Sequence, residues 1–250
     1  MPAKSKIRKE YHIGCSGFHY GSWKNVFYPE GLPSSKMFEY YCGKFSTVEL
    51  NVTFYRFPTK EMLGSWHRKS PAEFTFSVKA PRLITHYRRL KQCKTLVGQF
   101  YDVAEKGLKE KLGCLLFQFP PGFKYSIENA DLIFQNLRPG YQNVVEFRDA
   151  SWWNKKFYSE LKKQRIIFCN MDHPWLPTET SISLPVTYFR MHGKPVLFHS
   201  NYSRPFLKNL FDLLQSKRTV KTAYIYFNNT DEGNAIMNAF YLKKLSGESR

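Results

Sequence analysis

The chain carries none of the short signatures that fix a reaction by themselves. Gly14-Cys15-Ser16-Gly17 follows the first strand-like run where a dinucleotide fold would want GxGxxG, and no GxxxxGK[ST] occurs, so both kinds of nucleotide cradle are disfavoured. No GxSxG elbow supplies an activated serine to Asp172-His173, and no HExxH or similar spacing gathers metal ligands. Cys15, Cys42, Cys93, Cys114 and Cys169 are odd in number and share no CxxC spacing, which argues against a disulfide framework and a zinc ribbon. No window reaches the apolar length of a membrane span, and the charged start from Met1 to Glu10 has no apolar stretch behind it. A reducing, cytoplasmic setting without membrane contact is the expectation, and no cofactor is expected.

Acidic residues are also scarce. The 20 Asp and Glu stand against 38 Lys and Arg, a formal charge of +18, concentrated in runs such as Lys4 to Lys9, Arg88 to Lys94, Lys155 to Arg165 and Lys217 to Lys221. Such a field attracts polyanions and makes nucleic acid a partner to consider, although single-strand binding would also want aromatic rings along the same groove. Tyr87, Tyr101, Phe157 and Tyr158 lie near basic runs, and half of them are expected to face the core.

What is present is a regular alternation. Strand-like runs fall near residues 11–15, 46–50, 74–78, 113–118, 143–147, 166–170, 186–191 and 222–227. Segments with helical apolar spacing separate most of them: 36–44, 59–69, 96–111, 127–137, 155–164, 205–215 and 233–245. With 250 residues and 42% hydrophobic content, this predicts an α/β fold with a single TIM-like barrel of about eight parallel strands. The expected layout is a basic flexible segment over 1–10 and one barrel domain over 11–246. Pro174, Pro177 and Pro185 leave little room for a helix between strands 6 and 7, so that connection is predicted to be irregular. The long 16–35 loop, with Trp23, Phe27 and Tyr28, is expected either to cover the mouth or to pack against the barrel.

In a closed parallel barrel the residues ending these runs meet at one C-terminal mouth. They are Glu49, Lys79, Gln118, Glu146, Arg148, Asp172, Arg190, His192 and Asn228. Strand alternation puts Glu146 with Arg148, Arg190 with His192 and Glu49 with Asn51 on common faces, and burying so much charge requires partners or a ligand. Lys79, Arg148 and Arg190 are donors suited to phosphate or carboxylate. Barrels often take phosphate beside their last two strands, where Arg190, Asn228 and Asn229 fall and a helix opens near Gly233. Glu49 and Glu146 are candidate bases, and His86, His192 and Asp172 further proton-transfer groups, with His173 a weaker one. The usual barrel glycosidase pattern is not met, because Gln118 and Arg190 occupy its carboxylate positions.

At these residues the chain resembles the YecE-like family, domain of unknown function 72. The resemblance runs from Gly14 to Tyr20 with Trp23, through Phe27-Tyr28-Pro29, Glu49 to Tyr55, Phe76 to Lys79 with Thr85-His86, and Leu116 to Pro121. It continues through Val145 to Arg148 with Ser151-Trp152, Tyr188 to Gly193, and Tyr226 to Asn229 with Ala235. It implies a TIM-like barrel with shared polar residues at one end, and adds Tyr55 and Trp152 to the substrate-binding candidates. Cys15 departs from the pattern, where Thr is frequent, which argues against an essential hydroxyl at that position.

The leading expectation is an enzyme, a hydrolase or lyase, acting on a small anionic or phosphate-bearing substrate. Asn51, Tyr55, Lys79, Gln118, Arg148, Trp152, Arg190, Asn228 and Asn229 would bind it; Glu49, Glu146, His86, His192 and Asp172 would move protons. Two alternatives remain: a non-catalytic nucleic-acid-associated protein, and a metal-dependent hydrolase using Glu49, Glu146, Asp172 and His192.

Overall fold

The eight apolar runs form one parallel sheet in the order β1-β8-β7-β6-β5-β4-β3-β2, and the sheet curls into a nearly closed barrel. The structure, a computed structural model, describes residues 9–247. The strands are β1 (Glu10–Cys15), β2 (Thr47–Leu50), β3 (Thr75–Lys79), β4 (Leu112–Gln118), β5 (Gln142–Glu146), β6 (Ile167–Asp172), β7 (Val186–Met191) and β8 (Thr222–Phe227). The helices are α1 (Met37–Cys42), α2 (Val52–Tyr55), α3 (Lys60–Lys69), α4 (Lys94–Leu108), α5 (Ile127–Asn136), α6 (Lys155–Lys163), α7 (Arg204–Ser216) and α8 (Asn234–Ser246). No helix joins β6 to β7, because the proline-rich 173–185 segment crosses as a loop. Of the expected flexible segment 1–10, residues 1–8 lie outside the described residues. Glu10 already belongs to β1, and the Lys9 ammonium donates to the carbonyls of Leu214, Gln215 and Lys217.

Local chemistry sets the helix starts. Thr59, Ser126, Asn154 and Ser203 each accept a backbone N–H of the first turn that follows, opening α3, α5, α6 and α7, and Pro205 sits in the first turn of α7. The outer faces of the strands and the inner faces of the helices form the main core. A second cluster, including Cys114, Leu116, Val144, Ile167, Cys169, Tyr188 and Tyr226, fills the inside of the barrel. Toward its lower end His12 stacks on Tyr224 with ring centroids 4.4 Å apart.

The seam between β1 and β2 is the weak point of the cylinder, since only an isolated bridge between Ser16 and Glu49 spans it. Two devices close it. The Tyr41 hydroxyl accepts from the Cys15 N–H at 2.9 Å and donates to the Thr47 carbonyl at 3.0 Å, while Gly17 N–H donates to Glu49 O at 2.8 Å. Gly14 makes this approach possible, because a Cβ there would stand 2.4 Å from Thr47 O.

The 16–35 loop packs against the barrel. Trp23 is fully buried and its indole N–H donates to Thr230 O at 2.8 Å, while Phe27 and Tyr28 join the core and Tyr20 reaches the mouth. Five cysteines are buried and free. Among the described residues no helix is long and apolar enough to cross a membrane.

Candidate functional site

Below the mouth lies an ionic layer. Arg190, on β7 and 1% exposed, donates through Nε and Nη2 to both oxygens of Glu49 at 2.7–3.1 Å and through Nη1 to Glu146 Oε2 at 2.6 Å. Glu49 also accepts from the Tyr188 hydroxyl at 2.6 Å. The other oxygen of Glu146 takes Arg148 Nε at 2.7 Å and Nη2 at 2.6 Å. Burial acts to raise the Glu146 carboxyl, but Arg148 and Arg190 outweigh it and hold the group well below the usual carboxylate range. Two carboxylates and two guanidiniums thus cancel in charge and use most of each other's hydrogen-bonding capacity.

His192 completes this layer. Asn228 Nδ2 is 2.9 Å from its Nδ1, and its Nε2 lies 3.3 Å from Arg148 Nη2 and 3.6 Å from Glu146 Oε1. Burial and then the nearby Arg148 charge push the imidazole well below its ordinary value.

Above the layer opens a cavity of about 920 Å³. Its wall takes in Asn51, Tyr55, Lys79, His86, Gln118, Arg148 and Asn228 of the residues expected from sequence, and the edge of Arg190 forms part of its floor. Glu49, Glu146 and His192 lie within the supporting layer, off the cavity wall. Both carboxylates are engaged by guanidinium groups, and that occupation removes them from the position of a base in contact with a ligand. Asp172 accepts from Tyr202 at 2.8 Å and pairs with Lys194 at 3.2 Å, away from the cavity. Trp152 is fully buried behind the sheet, stacked on Phe147 with centroids 3.9 Å apart, and Asn229 braces the β8–α8 connection by donating to Ser200 O and Asn238 Oδ1. Nor does the α8 start form a phosphate cradle at the mouth: Asp231 and Glu232 precede it, and Ala235 N–H is taken by Asn229 O.

Lys79 stands apart from this pairing. Its ammonium lies 4.0 Å from the centre of the Phe54 ring and has no carboxylate or hydrogen-bond partner among the described residues. A ring face supplies a cation only about 0.5–2 kcal/mol. Burial first, then the Arg190 charge, bring the amine down to about 7, with Glu146 and Glu49 partly opposing. Phe54 reaches this position because α2 docks on β3: Thr53 Oγ1 lies 2.9 Å from Leu50 O and 2.6 Å from Lys79 O.

His86 also packs against Phe54, edge to face, with ring centroids 4.9 Å apart. It is carried by a π-helical turn over Leu83–Tyr87 and held through Nδ1 by Thr85 Oγ1 at 2.9 Å. Burial, then the Lys79 and Arg148 charges, lower it to about 4, so it is neutral at physiological pH. Asn51 also lines the wall, and its amide oxygen is buried without a hydrogen-bond partner among the described residues.

Sequence reasoning missed Tyr20, Phe54, Trp175, Leu176, Leu197, Phe198 and Thr230, which complete much of the wall. Tyr20 and Phe54 lie inside motifs already singled out, whereas Trp175, 76% exposed, sits in the proline-rich β6–β7 loop, where periodicity carries no signal. His173 lines the cavity as well.

The metal reading finds no geometry to support it. Glu49 and Glu146 are spent on arginine, Asp172 points to Tyr202 and Lys194, and among the described residues no group of three or more His, Cys, Asp or Glu side chains is gathered to hold an ion.

Eight parallel strands, intervening helices and a polar mouth define a TIM-like α/β barrel protein. The chain belongs to the family described as Protein of unknown function DUF72, which it matches over residues 12–250. It is 26% identical to the UPF0759 protein YunF of Bacillus subtilis over 94% of each chain, and 32% identical to the UPF0759 protein YecE of Escherichia coli over 58% of this chain and 50% of that one. Among solved structures, a DUF72 family protein of Thermotoga maritima is similar with a TM-score of 0.85 and 32% identity, covering 94% of this chain and 98% of the other. A DUF72 family protein of Enterococcus faecalis, at 20% identity and a TM-score of 0.77 over 97% and 100%, shares the fold.

Proposed function

We propose that the mouth of this barrel is the active site of an enzyme acting on a small anionic or phosphate-bearing substrate. Lys79 and the cavity side of Arg148 are its cationic contacts, Asn51, Gln118 and Asn228 its neutral ones, and His86 its proton carrier. One observation carries the reading. Every charge in the supporting layer is cancelled by a neighbour, and among the described residues Lys79 alone faces the cavity without a counterion. A buried ammonium lacking a partner is costly, and an incoming anion relieves that cost. Arg148 adds a second grip, because its Nη1 has no partner among the described residues while Nε and Nη2 are fixed on Glu146.

Isothermal titration with inorganic phosphate and with oxalate tests this. Saturable binding at one site is expected, weakened at least tenfold by Lys79→Met and by Arg148→Gln, with the fold of each variant checked by circular dichroism. Binding unchanged in both folded variants, or none to wild type at low salt, contradicts the proposal.

A further inference from the structure

We infer that Lys79 forms a Schiff base with its substrate, and that the substrate is a carbonyl compound bearing a carboxylate, an α-oxo acid; the inference rests on the anion-binding reading above. Its geometric basis is an almost buried primary amine on the cavity wall that touches an aromatic ring and no acid. A lysine meant only as an anion clamp is best kept charged by a neighbouring carboxylate. Here the nearest carboxylates are consumed: Glu49 by Arg190 and Tyr188, Glu146 by Arg148 and Arg190. The charged groups bearing on Lys79 come from β7 (Arg190), β5 and its extension (Glu146, Arg148) and β2 (Glu49), with neutral His86 packed on the same Phe54 ring. With the amine lowered to about 7, a large fraction is unprotonated near neutrality, as nucleophilic attack on a carbonyl requires.

The surrounding groups fit the steps. The free Nη1 side of Arg148 receives the carboxylate. The Lys79 nitrogen lone pair adds to the carbonyl carbon, forming the C–N bond while the C=O π pair moves onto oxygen. His86 takes the proton lost by nitrogen and returns it to that oxygen, giving a carbinolamine. Its hydroxyl is placed on the Asn51 side of the cavity. A further proton through His86 expels this hydroxyl as water, and the C=N iminium remains. No oxidant or reductant is consumed. The iminium then acts as an electron sink for breaking a bond at the adjacent carbon, which suits a lyase.

The test is reductive trapping at pH 7 with glyoxylate and cyanoborohydride, read by peptide mapping. Hydride reduction of the iminium leaves carboxymethyl-lysine. Lys79 is expected to be labelled at least tenfold faster than any exposed lysine, and uncharged acetaldehyde to label it at least tenfold more slowly than glyoxylate. Phosphate should protect Lys79, and Lys79→Arg, folded by circular dichroism, should abolish the selective label. Labelling of Lys79 no faster than of surface lysines overturns the inference. Equal rates with acetaldehyde overturn the α-oxo acid class. Phosphate titration of the same sample separates the two proposals: saturable binding without selective labelling removes the Schiff base and leaves the anion site, whereas absence of both removes both.

Discussion

Arg190 shares its guanidinium between two carboxylates, and that fixes what each residue of the trio does. Removing one charge from a buried network leaves the others uncompensated, at a cost of roughly 3–5 kcal/mol. Glu49→Gln is therefore expected to lower Tm by about 6–20 °C at 2–4 °C per kcal/mol, in a thermal melt followed by circular dichroism. A change within 2 °C would mean that Glu49 is not the structural partner of Arg190. The pairing of Glu146 with Arg148 was legible in the sequence because two residues apart on a strand share a face. Depth was not legible. Alternation assigns Glu49, Arg190 and Lys79 alike to the interior, but only the packed structure shows that the first two neutralise each other beneath the cavity while the third faces it. Of the consecutive Asn228 and Asn229 only one can face inward, and the choice depends on Asn229 finding Ser200 and Asn238 outside.

At the scale of elements, the barrel depends on a hydroxyl at its seam. Tyr41 on α1 serves as both acceptor and donor between β1 and β2, where ladder hydrogen bonds give way to an isolated bridge. Tyr41→Phe keeps the ring and leaves the Cys15 N–H and Thr47 carbonyl without this partner. Each such buried group costs about 1–3 kcal/mol, so a loss of roughly 2–6 kcal/mol is expected in urea unfolding, with an unchanged m value. No loss would mean that the seam is held by other contacts. The strands and long helices were legible from apolar periodicity and from caps such as Thr59 and Ser126, and the absence of a helix between β6 and β7 from its prolines. The four-residue α2 and the π turn under His86 were not. Both are too short for a period to register, yet they bring Lys79 and His86 into contact with the same Phe54 ring, so the least readable elements shape the site most directly.

For the whole molecule, the exterior and the mouth differ in electrostatic character. The chain carries +18, and such a field draws anions of any kind, including nucleic acid, in a manner that fades as salt rises. The ionic layer inside is neutral, so under the proposed function selectivity for a small anion rests on Lys79 and the outward side of Arg148. Composition revealed the first property and only the closed barrel reveals the second, because Glu49, Arg190 and the Glu146–Arg148 pair come from three strand ends far apart in sequence.

The central claim, that Lys79 is an uncompensated amine awaiting an anion, is tested most directly by its titration. In protein carrying 13Cε-labelled lysine, with the Lys79 signal identified by its loss in Lys79→Arg, the midpoint is expected near 7 and should rise when inorganic phosphate is added, because the bound anion favours the ammonium. A midpoint at the ordinary lysine value of about 10.4, unmoved by phosphate, would contradict the account.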